Sequence, residues 1–572
     1  MSASSRRTDQ RPQPGIAPSR AARLWPVALL GVVILFFSSV RFHLRNVPLE
    51  RDEGEYAYAG QLILQGIPPY VLAYNMKLPG TYAAYALIMA VFGESAVGIH
   101  LGMILVNAAT IVLMFLLAKR LFGSLAGIGA ASSYALLSNS ESVLGFAGHA
   151  THFVVLAAVA GLLVLLQAIE SERVPLYFLS GSFLGLAFVF KQPGLFFALF
   201  GFFFLLASEW RKWRTLKNWD GVRRLAAYGS GVILPFALTC LVMLFAGELG
   251  KMWFWTFSYA QQYASVMMLW QGWENFFVVG AYVLDTCYPM WILGALGLAA
   301  MAWDSGVRKH ALFTVGLLIF SWCAVCTGFY FRPHYFILVL PAVSLLAGVT
   351  LSSATTELRR LSDVGWVAAI PAVVFLGALI VSILGQRDVF FRLDPVSISR
   401  LAYGTSPFPE AEVISQYLKE QTKEDARIAV IGSEPEIYFF SHRHSATGYI
   451  YVYPLFEPQK FAGYMQKEMA KEIEENNPEY VVLVRVNTSW QVFPNSDRFI
   501  IGWFKNYIAA HYEIVGIADE VAPETRYVWG DAAKTYAEQS DAAVEIFRRS
   551  DLPKQSSTGS QDSSSQAAGR QN

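Results

Sequence analysis

The chain has 572 residues, 54% of them hydrophobic and only 15% charged, with 41 Phe, 27 Tyr and 15 Trp. A soluble domain averages about 25% charged residues, so this composition excludes an ordinary soluble enzyme, a disordered chain and a collagen-like fibre. Lys plus Arg (44) nearly balances Asp plus Glu (43), which argues against a general nucleic-acid binder and leaves a polytopic membrane protein carrying some soluble mass.

Residues 1–22 are polar, rich in Arg and Pro, and read as a disordered basic arm. Leu24 to Val40 is nearly all apolar and no small-x-small cleavage site follows it, so it reads as an uncleaved first membrane span. Runs able to cross about 30 Å of hydrocarbon recur at 98–118, 124–140, 150–169, 175–190, 193–208, 225–246, 281–303, 311–330, 335–352 and 366–384, which makes eleven spans with the first. If these alternate, one side collects Lys119, Arg120, Arg173, the cluster Arg211, Lys212, Arg214, Lys217, Arg223 and Arg224, then Arg308, Lys309, Arg359 and Arg360. Cations mark the cytoplasmic side. The pattern puts the N-terminus in the cytoplasm and the C-terminal region outside, in a bacterial periplasm or its equivalent; a bacterial inner (cytoplasmic) membrane is the expected location. The membrane domain is thus predicted over 23–385.

Two outer loops are long, 42–97 and 248–280. The first contains two predicted helices, Glu53 to Gln65 and Lys77 to Phe92, expected to lie along the membrane surface. The second is crowded with Trp253, Trp255, Tyr259, Tyr263, Trp270 and Trp273, residues suited to an interface or to stacking on sugars. Alternating helix and strand patterns then predict a small α/β domain with a partly parallel sheet over 386–550: helices near 410–420, 457–476 and 497–510, strands at 427–432, 480–484 and 512–516. Residues 551–572 read as a disordered Ser/Gln-rich tail. The four cysteines lie in or beside apolar segments, and Cys323-x-x-Cys326 reads as helix packing.

Chemistry concentrates on the outer side. Arg51-Asp52-Glu53-Gly54-Glu55-Tyr56 sets three carboxylates at the start of a predicted helix. One reading is helix capping, with Asp52 as the cap. The other is a partly desolvated acid cluster, in which burial raises the carboxyl pKa values and makes bases of them. Both remain open on these residues. Lys77, Lys191-Gln192 and Arg332-Pro-His334 stand at outer span ends. Intramembrane charge is expensive enough to suggest function, and snorkelling is the bland alternative. His149 and His152 open the fourth span; their i,i+3 spacing is a weak metal signal, and snorkelling accounts for them. Ser441-His-Arg-His444 reads as an exposed polar turn. Acids able to deprotonate a hydroxyl thus share one face with cations able to hold a phosphate.

Asp52-Glu53 after the first span, Tyr56 close behind, Gly66-Ile-Pro-Pro-Tyr70, Lys77-Leu-Pro79 and Arg332-Pro-His-Tyr335 resemble the first outer loop and a late span of GT-C glycosyltransferases. The likeness is to the branch of protein O-mannosyltransferases and lipid A aminoarabinose transferases. It implies a many-helix GT-C membrane fold with a C-terminal soluble α/β domain. It also implies transfer of a sugar from a polyprenyl-phosphate-linked donor to a lipid, glycan or protein acceptor on the outer face, with inversion. By this resemblance Asp52 is the catalytic base and Glu53 its support. Lys77 contacts the donor phosphate, and Glu55, Tyr56, Lys191, Gln192, Arg332 and His334 complete the substrate site. Aminoarabinose transferases carry a metal-binding Glu directly before that lysine. Here the position is Met76, so no essential metal is expected. The rival readings are a lipid-linked sugar transporter, which would favour two similar halves that the sequence lacks, and a non-catalytic membrane binding protein.

Overall fold

The computed structural model describes residues 20–213, 219–520 and 524–553. The predicted basic arm and tail, with Arg214 and Lys217 of the inner cluster, lie almost wholly or wholly outside the described residues. Nine helices take up the first part of the chain: α1 (Arg20–His43), α2 (Arg51–Leu64), α3 (Pro79–Phe92), α4 (Ala96–Phe122), α5 (Ser124–Leu137), α6 (Ala150–Ser171), α7 (Val174–Phe190), α8 (Leu195–Trp213) and α9 (Trp219–Phe245).

Every predicted span falls on helix, but not all are full crossings. Among the described residues six helices are long and apolar enough to span alone. A bent pair, Leu269–Thr286 and Tyr288–Ala302, adds a seventh if taken as one crossing, turning by 100°. The span expected at 281–303 is broken there because Pro289 opens a new helix. Proline lacks an N–H, suits the first turn and cannot continue a helix already running. The segments predicted at 124–140, 175–190 and 311–330 form apolar helices of 14, 17 and 15 residues. Exposed Val32, Leu35, Leu105, Leu241, Val242, Val373 and Leu376 present the apolar belt expected of helices facing lipid. Inside, α7 and α9 meet backbone to backbone: Gly181 and Gly185 lie directly against Tyr228 and Val232, where a Cβ would not fit.

The outer helices depart from expectation. α2 does not lie on a surface; every residue from Glu53 to Leu62 is buried. It is covered by α3 on one flank and by the C-terminal domain on another. One apolar core joins Tyr56, Ala57, Tyr58 and Leu62 to Ile414, Ile437, Tyr438 and Val482. α3 keeps an open apolar edge, at Leu87 and Val91.

The C-terminal domain is the expected α/β unit, with more strands than the pattern showed. Its sheet runs β2-β1-β3-β6-β4-β5, where β1 is Arg427–Ile431, β2 His444–Ser445, β3 Tyr480–Arg485, β4 Tyr512–Asp519, β5 Arg526–Trp529 and β6 Ala543–Arg549. β1 pairs in parallel with β2 and β3; β3, β6, β4 and β5 pair antiparallel. Helices Phe408–Gln421, Ala462–Asn476 and Phe499–His511 match the three predicted helices. Ser441–His444 is not an exposed turn. His442 Nδ1 stands 2.8 Å from Gln61 Nε2, and His444 Nε2 lies 2.8 Å from Gln65 Oε1, so this turn docks the domain on α2.

Candidate active site

The α2 N-terminus settles which carboxylate caps. Glu50, with extended backbone, is the N-cap: its side chain accepts from Glu53 N at 3.1 Å, and Glu53 Oε2 accepts from Glu50 N at 3.4 Å. This reciprocal pair satisfies two orphan donors of the first turn. Asp52, the cap on one of the two sequence readings, is not used for it. At the second helical position its carboxylate is free to face a cavity of about 580 Å³.

That cavity lies between the membrane helices and the C-terminal domain. Glu50, Asp52, Met76, Lys77 and His149 form one wall, and Arg332, Pro333, His334 and Tyr335 a second. Tyr259 and Tyr263 come from the aromatic loop, and Tyr451, Tyr453, Glu457, Asn487, Thr488 and Gln491 from the C-terminal domain. Asp52 divides its oxygens. Oδ1 is 3.6 Å from Lys77 Nζ and accepts from the Tyr451 hydroxyl at 3.4 Å, while Oδ2 is 3.8 Å from His334 Nε2. Burial alone would raise the Asp52 pKa, but Lys77 and the charges behind it outweigh burial and hold this carboxyl below the usual range. The expectation of a raised pKa therefore fails at Asp52. It fails at Glu53 too, where burial is overcome by His100 at 3.0 Å and by the Gly148 N–H at 2.6 Å. It holds at Glu55, pushed up to about 7 by burial.

The other predicted residues divide into wall and support. Lys77, Arg332 and His334 line the cavity with Asp52. Glu53 faces away, bound to His100. Glu55 is buried behind the wall, accepting from the Tyr82 hydroxyl at 2.5 Å. Tyr56 is buried below Lys77 and receives its Nζ at 3.3 Å. Gln192 holds the lysine loop from behind, donating to Met76 O at 2.7 Å. Lys191, 6% exposed, rests over the Tyr335 ring at 4.3 Å, one layer behind the surface. Burial and then Lys77 depress it to about 7. Arg332 pairs with no carboxylate among the described residues. Phe329 and Phe331 before it hold φ of 57° and 47°, a backbone that bulky residues adopt only under constraint.

Several wall residues were not found by sequence reasoning. His149 was read as an interfacial residue; it stacks on His334 at 4.1 Å with rings 16° apart and stands 3.6 Å from Glu50 Oε1. Glu457, whose Oε2 accepts from Tyr259 at 2.5 Å, is raised by burial to about 7. Met76 offers no carboxylate; instead, ligand-type atoms of Asp52, His149 and His334 lie within 4.8 Å of one another.

Parts of this chain, and its fold, resemble known proteins. Residues 77–242 match the family described as dolichyl-phosphate-mannose-protein mannosyltransferase, and 409–498 match a family named for the C-terminal domain of the competence-induced protein Ccs4. The crystal structure of ArnT from Cupriavidus metallidurans, solved with undecaprenyl phosphate bound, superposes with a TM-score of 0.54 at 16% identity, over 91% of this chain and 98% of that one. The chain has the GT-C fold. An undecaprenyl phosphate-α-4-amino-4-deoxy-L-arabinose arabinosyl transferase from Pseudomonas aeruginosa strain UCBPP-PA14 is 26% identical over 242 residues. Its counterpart from Pseudomonas paraeruginosa is 27% identical over 247. Each match takes in 41% of this chain and 42% of the relative, so these two relatives are matched over less than half their length.

Proposed function

We propose that this protein is an integral membrane glycosyltransferase, moving a sugar from a polyprenyl-phosphate donor to a hydroxyl-bearing acceptor on the outer face of a bacterial inner membrane. The observation that carries the reading is the cavity wall, where one carboxylate, Asp52, faces Lys77 at 3.6 Å, and Arg332, with no carboxylate partner among the described residues, lines the same cavity. The likeness to ArnT and to the arabinosyl transferases supports the same donor class. The cationic pattern of the loops supports an N-terminus inside and the C-terminal domain outside.

The arrangement performs the chemistry as follows. The donor phosphate settles among Lys77, Arg332 and, behind them, Lys191. As the anomeric C–O bond breaks, its electron pair goes to the phosphate oxygen, and the cations stabilise the growing charge. The acceptor hydroxyl attacks the opposite face of the anomeric carbon, which inverts it. A low pKa does not disqualify Asp52 as the base. The attacking oxygen becomes strongly acidic once bonded to an oxocarbenium-like carbon, so a weak base that is always ionised can take the proton. Glu53 and the cap keep α2 in register so that Asp52 faces the cavity. Tyr453, Asn487 and Thr488 line the side away from the membrane and are placed to read the acceptor.

The test is Asp52→Asn, with surface glycolipids, polysaccharides and proteins of a deletion strain compared by mass spectrometry after complementation. The deletion strain should lack a sugar modification that wild type restores. Asp52→Asn, inserted at normal levels, should restore it at least about 100-fold more slowly. Full restoration by Asp52→Asn would remove Asp52 from the mechanism.

A further inference from the structure

Given the transferase reading, on which this rests, we propose that Glu457 selects the transferred sugar by hydrogen bonding to one of its hydroxyls, with Tyr259 and Tyr263 beside it as the aromatic wall of the same subsite. All three line the cavity that Asp52 faces, and Glu457 enters it from the C-terminal domain.

Glu457 directly follows the short helix Tyr453–Phe456, with extended backbone (φ −61°, ψ 143°) and its N–H bonded to Tyr453 O at 3.0 Å. It is 3% exposed and forms no ion pair among the described residues. A carboxyl buried without a paired cation is costly, and the fold compensates only one of its oxygens. Oε2 accepts from the Tyr259 hydroxyl at 2.5 Å. Oε1 has no hydrogen-bond partner among the described residues and is left for what enters the cavity.

The neighbours supply what a sugar ring needs. A sugar offers apolar C–H faces and hydroxyl edges, and sites for such molecules combine apolar and aromatic walls with a few fixed polar groups. The Tyr263 ring is backed by Tyr330, stacked at 4.4 Å with rings 7° apart, and the Tyr259 ring packs edge-on against Trp255 at 5.2 Å. Trp255 and Tyr259 are carried on a π-helical turn, Phe254–Tyr259, a rare backbone form that is frequent at functional sites. Gln491 adds an amide to the lining of the same cavity.

Charge separates a hydroxyl from the other candidate groups. The Arg332 charge acts on Glu457. The sugar is bonded to the phosphate that Arg332 receives, so an acid beside Arg332 on the domain side meets the sugar. A phosphate would be repelled by the carboxylate, and an ammonium would have to sit beside the guanidinium. Burial outweighs Arg332 and pushes the Glu457 carboxyl up to about 7, so both its forms are present near neutral pH. A hydroxyl donates to the ionised form and accepts from the protonated one, so it pairs with either.

The test reads binding without turnover. Full-length protein in detergent is titrated by calorimetry with synthetic farnesyl phosphate, bare or bearing mannose, glucose, galactose, L-arabinose or 4-amino-4-deoxy-L-arabinose, and then with each monodeoxy analogue of the tightest ligand. In the wild type one sugar should bind at least about tenfold tighter than bare farnesyl phosphate, and loss of one of its hydroxyls should weaken binding roughly tenfold. In Glu457→Ala the same loss should cost less than about twofold, the coupling that marks a direct bond. Tyr259→Phe, which cuts the tether between the aromatic loop and the domain but keeps the carboxyl, should still feel that hydroxyl. A wild type that prefers no sugar over the bare lipid overturns the proposal, as does full hydroxyl dependence in Glu457→Ala. So does a preference that rests on the amino group. A Tyr259→Phe loss equal to that of Glu457→Ala also overturns it, because Glu457 would then act only as a tether. Thermal unfolding checks that the variants fold. If Glu457→Ala does not, Glu457→Gln takes its place; without a charge to assist the bond, the hydroxyl should then be worth about threefold, and an undiminished tenfold overturns the proposal. A protein that shows this hydroxyl dependence yet transfers no sugar fails the transferase reading alone. One that transfers sugar without it fails the present assignment alone.

Discussion

Lys191 shows how one buried side chain ties stability to substrate binding. It ends α7 with extended backbone (φ −157°, ψ 138°), and its amine lies over Tyr335 near the cations Lys77 and Arg332. Its pKa of about 7 lies below the ordinary 10.5 because burial and like charge oppose protonation. Between pH 7 and 10.5 the unfolded chain binds this proton and the folded chain does not, so this group makes stability rise with pH across that window. Phosphate binding needs the charged form, so donor affinity should fall as pH rises above about 7. Lys191→Met should remove both trends: a flatter thermal-stability profile from pH 7 to 10, and donor KM raised roughly tenfold at pH 6.5 but hardly changed at pH 9. An unchanged KM at pH 6.5 would leave Lys191 a packing residue. Asp52, Lys77 and Arg332, which line the cavity, are legible as candidates because charges at outer span ends are conspicuous in so apolar a chain. His149 was not: its ring meets His334 only through a pairing across 185 positions that no local spacing encodes.

At the scale of elements, the first outer loop is the key piece, and its misreading is instructive. Apolar residues at helical spacing correctly marked α2 and α3. The same pattern suits a helix lying on lipid and a helix buried under another domain, and the sequence offers no way to choose. The choice is made by Gly54. An added Cβ there would stand 2.7 Å from both Cβ and backbone N of Glu436 and 2.9 Å from its Cα. α2 can therefore touch the short helix Glu436–Ser441 only through a residue with no side chain. Gly54→Ala should push the domain away from α2, lowering stability by about 1–3 kcal/mol. It should reduce transfer as well, since Asp52 stands two positions earlier. Gly250→Ala, at a helical glycine with open space around it, is the control and should cost less than about 0.5 kcal/mol. Thermal unfolding in detergent compares the two; equal effects would mean that the close approach is not what matters.

At the scale of the whole molecule, the C-terminal domain lines the cavity around Asp52 and is not an appendage. Sequence pattern located three of its helices and three of its strands, because alternation and amphipathic spacing are local properties. The strands β2, β5 and β6 were missed: β2 and β5, of two and four residues, are too short to show alternation, and β6 takes its place beside β3, far back in the chain. The join to the membrane domain centres on Arg51. Its Nε donates to Ser433 O at 2.5 Å and its Nη2 to Glu434 Oε1 at 2.8 Å, and the Tyr451 hydroxyl donates to Arg51 O at 2.8 Å. Glu434 is fully buried, its other oxygen receiving Ser433 N and the Ser489 hydroxyl, each at 2.6 Å. Removing the arginine would strand a buried carboxylate, a loss of about 3–5 kcal/mol. Arg51→Met should therefore destabilise strongly and expose the junction to trypsin. Arg51→Met combined with Glu434→Gln should recover much of the stability, because no uncompensated charge remains. The double variant should still transfer slowly. Arg51 directly precedes Asp52, and the ion pair fixes the first turn of α2 against the domain that closes the cavity. If the double variant recovers both stability and rate, the pair only clamps the two domains together. If it recovers stability alone, the pair also sets the position of Asp52.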